Sequence, residues 1–141
     1  RGAPGGRPGG GVTAEQVREA MELFIRQRSS VDAHLYDDTL GALRRLRSLG
    51  VGTGVLTNGN ADLPMASPLL AAEVDFSLNA GSCGARKPSI VPFIAAANAS
   101  RTTPSRIMYV GDSYGADVLG AKNCGMSAAM LLRGDAEAPE G

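Results

Sequence analysis

An excess of charge of either sign is what this chain most plainly lacks. Lys plus Arg and Asp plus Glu number 14 each, so the formal net charge is zero. Neither nucleic acid nor an anionic membrane surface is therefore expected as a partner, since both are recruited by surplus basic charge. The one local basic cluster, Arg44, Arg45 and Arg47, reads as the solvated face of a helix. No apolar run approaches the roughly 20 residues that a membrane span requires. Cysteine is scarce as well. Cys83 and Cys124 have no metal-ligand spacing to one another or to His34, the single histidine, and two lone thiols fit a reducing compartment. His34 has no partner motif and reads as a loop or core residue. No internal repeat is present. These absences describe a soluble intracellular protein, cytoplasmic or organellar, and say nothing of its oligomeric state.

What is there suits a single domain. The chain has 141 residues, 43% apolar and 20% charged, enough for one core. Residues 1–12 are nearly all Gly, Pro and Arg, cannot bury apolar surface, and are expected to be disordered. That composition fits a linker, the tail of an organellar targeting segment or the product of an incomplete gene model. Residues 134–141 form a small, acidic tail that is expected to fray.

Between these ends, helical and strand patterns alternate. Thr13-Ala14-Glu15-Gln16 is a capping box, with Val17, Ala20, Met21 and Phe24 following on one helical face. This helix is assigned to residues 13–30 and the remaining domain to 31–133. A second helix starts near Asp37-Asp38 and stops at Gly50. Residues 51–56 form a strand that ends in Thr57-Asn58-Gly59-Asn60. Pro64 and Pro68 break or shorten any helix over 61–73. A brief strand is expected at 74–78, and then a helix over 88–98 with Ile90, Phe93, Ile94 and Ala97 inward. A strand over 106–110, a helix over 114–124 and a strand over 126–132 complete the pattern. Such alternation predicts an α/β fold, a doubly wound parallel sheet flanked by helices.

Three loop tips carry groups suited to chemistry. Thr57 and Asn58 offer a hydroxyl and an amide where a strand gives way to a loop, and with backbone N–H groups they could cradle a phosphoryl oxygen. Lys87, just before Pro88, is a point charge that can neutralise a phosphate. The run Val110-Gly111-Asp112 ends a strand, and Asp117 follows five residues after Asp112. Two carboxylates at the rim of a parallel sheet suit a hard cation such as Mg²⁺. Each feature also has a plain explanation: a turn, a surface lysine, residues that cap a helix.

Taken in order, Thr57-Asn58, Lys87-Pro88 and Gly111-Asp112 through Asp117 resemble the second, third and fourth motifs of the haloacid dehalogenase-like hydrolase superfamily. The surrounding sequence matches too, in Leu43 to Gly50, Gly84 to Pro88, and Asp117-Val118-Leu119-Gly120-Ala121 through Met126. The resemblance implies a Rossmann-like core, with residues 13–30 as a remnant of a helical cap. It also implies phosphoryl transfer through an aspartyl-phosphate on a small phosphorylated substrate. Thr57, Asn58 and Lys87 would then bind phosphate, and Lys87 would also orient the nucleophile. Asp112 would ligate Mg²⁺ with support from Asp117, the arrangement of the metal-dependent phosphatase branch.

The first motif of that superfamily, a strand ending D-x-D-x-T that supplies nucleophile and general acid/base, has no counterpart. The chain contains no D-x-D. Asp37-Asp38-Thr39 follows no apolar strand and reads as the start of a helix. The core is therefore expected to be partial, and covalent transfer by the chain as it stands has no route. A non-catalytic module that binds phosphate or a protein partner is the alternative. A dinucleotide site is not, because Gly50-Val51-Gly52-Thr53-Gly54 precedes or lies within a strand instead of following one.

Overall fold

The computed structural model describes residues 11–29 and 31–134. Of the segments read as disordered, 1–12 and 134–141, residues 1–10 and 135–141 lie outside the described residues. The first helix, α1 (Ala14–Ser29), opens on the expected capping box. Thr13 N–H donates to Gln16 Oε1 at 2.9 Å and Gln16 N–H donates to Thr13 Oγ1 at 3.2 Å. Its apolar face is not buried, however: Val17 and Met21 are exposed.

Helix α2 (Thr39–Ser48) ends as the sequence suggests, because Gly50 takes φ 74°. Gly50 N–H then reaches Arg47 C=O at 2.9 Å and Val51 N–H reaches Leu46 C=O at 3.1 Å, which satisfies carbonyls the helix would leave bare. The basic cluster on this helix is not simply a solvated face. Arg44 Nε and Arg47 Nη1 grip the buried Glu73 carboxylate at 2.7 and 3.0 Å, since residues three apart share one helical side.

Strand β1 (Gly54–Thr57) leads into two one-turn helices, α3 (Leu63–Ala66) and α4 (Pro68–Ala71), each with proline in its first turn, where no N–H is needed. Strand β2 (Phe76–Asn79) and the short α5 (Ala80–Cys83) follow. Helix α6 (Ile90–Ala99) buries Pro92, Phe93, Ala96 and Ala97, while Ile90 and Ile94 are exposed. The inward face is thus turned from the expected one towards 92 and 96. Strand β3 (Met108–Gly111) precedes a helical stretch that begins as a wide π turn, Tyr114–Leu119, and continues as α7 (Gly120–Asn123). The widening is visible at Ser113, whose carbonyl accepts from both Asp117 N–H at 2.8 Å and Val118 N–H at 3.3 Å. Strand β4 (Ser127–Met130) is the last element.

The strands are parallel, as expected of an α/β fold, but they do not form one sheet. β1 pairs with β2, with Leu56 opposite Leu78, and β3 pairs with β4, with Tyr109 opposite Ala128. An open seam separates the pairs. Asp75 N–H donates to Thr53 C=O at 2.9 Å, so alternation along β1 turns the Leu56 carbonyl away from β2. Likewise Ile107 and Gly111 carbonyls serve β4, at 3.0 and 2.8 Å, which leaves Met108 and Val110 backbone groups on the outer edge of β3. The core lies beneath both pairs, where Phe93, Ala97, Ala121 and Met126 cluster with Leu56, Ile107, Tyr109, Cys124 and Ala128 around them. The opposite face of β3 is bare, with Met108 and Val110 exposed.

Candidate active site

Of the groups singled out from sequence, Asn58, just past β1, and Asp117, past β3, meet at Lys87. Asn58 holds the Lys87 backbone from both directions. Its amide nitrogen donates to Lys87 C=O at 3.1 Å and its oxygen accepts from Lys87 N–H at 2.7 Å. This two-pronged grip fixes where the lysine leaves the chain, immediately before a cis Lys87–Pro88 bond. Asn58 was singled out as a phosphate ligand; its side chain is spent here on positioning the lysine.

The Lys87 side chain crosses the seam. Its Nζ donates to Asp117 Oδ1 at 2.7 Å, to the Tyr109 hydroxyl at 2.8 Å and to the Leu56 carbonyl at 3.2 Å. An ammonium has three donors, and all three are used. Burial opposes the charge, but the hydrogen bonds that the ammonium donates to Asp117 and Tyr109 outweigh it, and the Lys87 pKa lies above the ordinary lysine value. Tyr109 is pushed above the usual phenol value by its own burial, so its hydroxyl keeps its proton.

Asp117 is buried. Besides the lysine, its carboxylate accepts from Ser113 N–H at 3.0 Å and stands 3.3 Å from the Tyr109 hydroxyl. The π turn brings it back over the end of β3, and Gly111 makes the approach feasible. A Cβ at that position would overlap the Asp117 carboxylate carbon. Asp112 stands at the same end but is exposed, and among the described residues its side chain makes no hydrogen bond or ion pair. Thr57 Oγ1 accepts from Gly59 N–H at 3.0 Å, which leaves its own hydroxyl proton free to donate.

The carboxylates singled out for Mg²⁺ are therefore unequal. Asp117 serves the ammonium, Asp112 is free, and no group of three His, Cys, Asp or Glu side chains comes together among the described residues. An octahedral Mg²⁺ centre needs more oxygen ligands than this. These residues alone do not fit one. What the site does offer is a fixed cation at Lys87, a free hydroxyl proton on Thr57 and an exposed carboxylate at Asp112. Tyr109 is the member that the sequence reading missed; an apolar-aromatic position inside a strand gives no sign that its hydroxyl will face a charged pair.

A family model for haloacid dehalogenase-like hydrolases matches residues 9–125. The phosphoserine phosphatase of Thermus thermophilus is 32% identical over 127 residues, covering 88% of this chain and 50% of that protein. A phosphatase structure from Thermococcus onnurineus superposes with a TM-score of 0.73 at 27% identity, over 84% of this chain and 55% of its own. A 2-haloacid dehalogenase from Pseudomonas syringae superposes with 0.74 at 30% identity, over 87% and 53%. The chain spans about half the length of these relatives.

Proposed function

Because the chain belongs to the haloacid dehalogenase-like hydrolases, we propose that it is the phosphate-handling part of a phosphomonoester hydrolase. The attacking carboxylate of that enzyme would lie on polypeptide that the relatives possess and this chain does not span. The observation that carries the proposal is the Lys87 ammonium held across an open seam, between the Leu56 carbonyl of β1 and the Tyr109 hydroxyl of β3, with both flanking strands unpaired on that side. A strand inserted between β1 and β3 would restore one sheet and bring its C-terminal residue to Lys87.

In that role Lys87 would neutralise phosphoryl charge and exchange its longest contact, the Leu56 carbonyl at 3.2 Å, for a phosphoryl or carboxylate oxygen. Thr57 would donate to a second phosphoryl oxygen, and Asn58 would keep the lysine in place. Transfer would run through an aspartyl-phosphate, as in the family at large, on a small phosphorylated substrate. Mg²⁺ dependence belongs to the same proposal. Asp112 is the one carboxylate here free to take a share in such a centre, and the remaining ligands would come with the missing strand.

A second reading has its own observation in favour. Every donor of Lys87 is already satisfied and the sequence holds no D-x-D. A module that only binds phosphate or a protein partner is what such a site would leave. Sequencing the complete transcript separates the two. The proposal expects an upstream apolar strand ending D-x-D-x-T, in frame with Arg1. A genuine start directly before Arg1 would favour the binding module.

A further inference from the structure

We propose that Tyr109 is a positioning residue for the Lys87 ammonium, acting through its hydroxyl across the seam between the two strand pairs. The inference deepens the reading of Lys87 as the phosphate-handling cation, but it rests on geometry that exists without any reaction. Tyr109 lies in β3, and alternation along that strand turns it inward while Met108 and Val110 face out. Its ring packs edge-on against Phe93, with centroids 5.1 Å apart at 69°, and this contact fixes the ring. The hydroxyl then reaches three groups from different parts of the fold. It stands 2.8 Å from Lys87 Nζ in the loop before α6, 3.3 Å from the Leu56 carbonyl in β1, and 3.3 Å from Asp117 Oδ1 after β3.

The proton count makes the role specific. A phenol has one proton and can also accept. Lys87 carries only donors, so the hydroxyl must accept from it and direct its single proton to Leu56 C=O or Asp117. The ammonium is thereby held by two neutral acceptors, the hydroxyl and the longer Leu56 carbonyl contact, and one charged one, with the hydroxyl's place set by a ring locked against the core. Asp117 and the 3.2 Å carbonyl contact alone would fix the direction of the charge less firmly, because a lysine head is a rotatable point charge on a flexible stem. With phenylalanine at 109, one Lys87 N–H loses its protein acceptor while the ring packing stays.

The chain suits a direct test because it contains two lysines, Lys87 and Lys122, the second exposed on α7. With ¹⁵N- and ¹³C-labelled lysine, the Lys87 ammonium is expected to give a slowly exchanging Nζ signal near neutral pH. Lys122 serves as the fast-exchanging reference. In Tyr109→Phe, Lys87 exchange should accelerate by about tenfold or more, the scale of one hydrogen bond to a charged group. Its Cε should gain mobility, with Lys122 and the Phe93 ring signals unchanged. A variant with exchange and mobility at the wild-type level would overturn the assignment. Should the variant fold poorly, the wild-type chain still decides the matter. Nuclear Overhauser contacts between the Lys87 Cε protons and the Tyr109 ring support the proposal, and their absence from an otherwise assigned spectrum refutes it. Neither readout needs turnover, so this inference can fail while the proposed function stands, and the reverse.

Discussion

Burial works against the Lys87 charge, Asp117 and Tyr109 more than offset it, and that has a consequence for stability. A lysine whose pKa is higher folded than unfolded adds stability that is complete below the unfolded value. The contribution is lost as pH rises through the folded value. Here that window opens above the ordinary lysine value of 10.5. The Lys87→Met variant leaves Asp117 buried without its cation, and urea unfolding at pH 7 should show it less stable by about 3 kcal/mol. The gap should narrow as both proteins are measured towards and beyond pH 11; a gap independent of pH would contradict the ion-pair account. Lys87 and both acidic residues were legible in the sequence because their spacing resembles known motifs. How they divide the work was not: Asp117 reads like a partner of Asp112, and only the π turn after Ser113 shows it folded back onto the lysine. Asn58 was likewise identified by position, but its grip on the Lys87 backbone was not legible, because an amide at a strand end gives no hint of which backbone it will hold.

At the scale of elements, helix ends carry the clearest correspondence. Gly50 was expected to stop α2, and both it and Gly125, after α7, adopt positive φ with paired carbonyl-satisfying bonds there. The same closure follows α6, but there Arg101 occupies the left-handed position at φ 51°, which no sequence rule favours. Strand starts were less legible. Residues 51–53 and 106–107 have strand-like composition but pair only from Gly54 and Met108, since a ladder begins where a neighbour begins and not where propensity does. The helix pattern over α6 likewise gave the element but not its orientation, which is set by where α7 approaches. That approach is close at Gly120, where a Cβ would meet Phe93 Cε2 at 2.6 Å, Phe93 Cζ at 2.7 Å and Pro88 Cα at 3.2 Å. Gly120→Ala should therefore destabilise the chain by roughly 1–3 kcal/mol in urea unfolding, the usual scale of overpacking. Because Phe93 also backs Tyr109, the same variant should perturb the Tyr109 ring signals; a neutral variant with an unmoved ring would contradict this packing.

At the scale of the whole molecule, the α/β class and the parallel strands were both legible from alternation and motif order. The division into two pairs was foreshadowed only by an absence, the missing apolar strand that the resemblance calls for. Between the two pairs the structure has a seam with backbone edges on both sides, bridged at the Leu56 carbonyl by the Lys87 and Tyr109 side chains, and an exposed apolar face at Met108 and Val110. Parallel sheets are ordinarily covered on both faces and paired throughout, so a bare edge and face are costly features for a folded chain to carry. Under the proposed function the same seam is where a nucleophile would have to stand, and the residues present would hold a phosphoryl group without being able to attack it. The most direct measurement is turnover of a generic phosphomonoester with Mg²⁺ by this chain and by its Asp112→Ala variant, side by side. Neither should release phosphate above the uncatalysed rate. Release by the chain that Asp112→Ala abolishes would mean that an attacking group exists within these residues, and the account would be wrong at its centre.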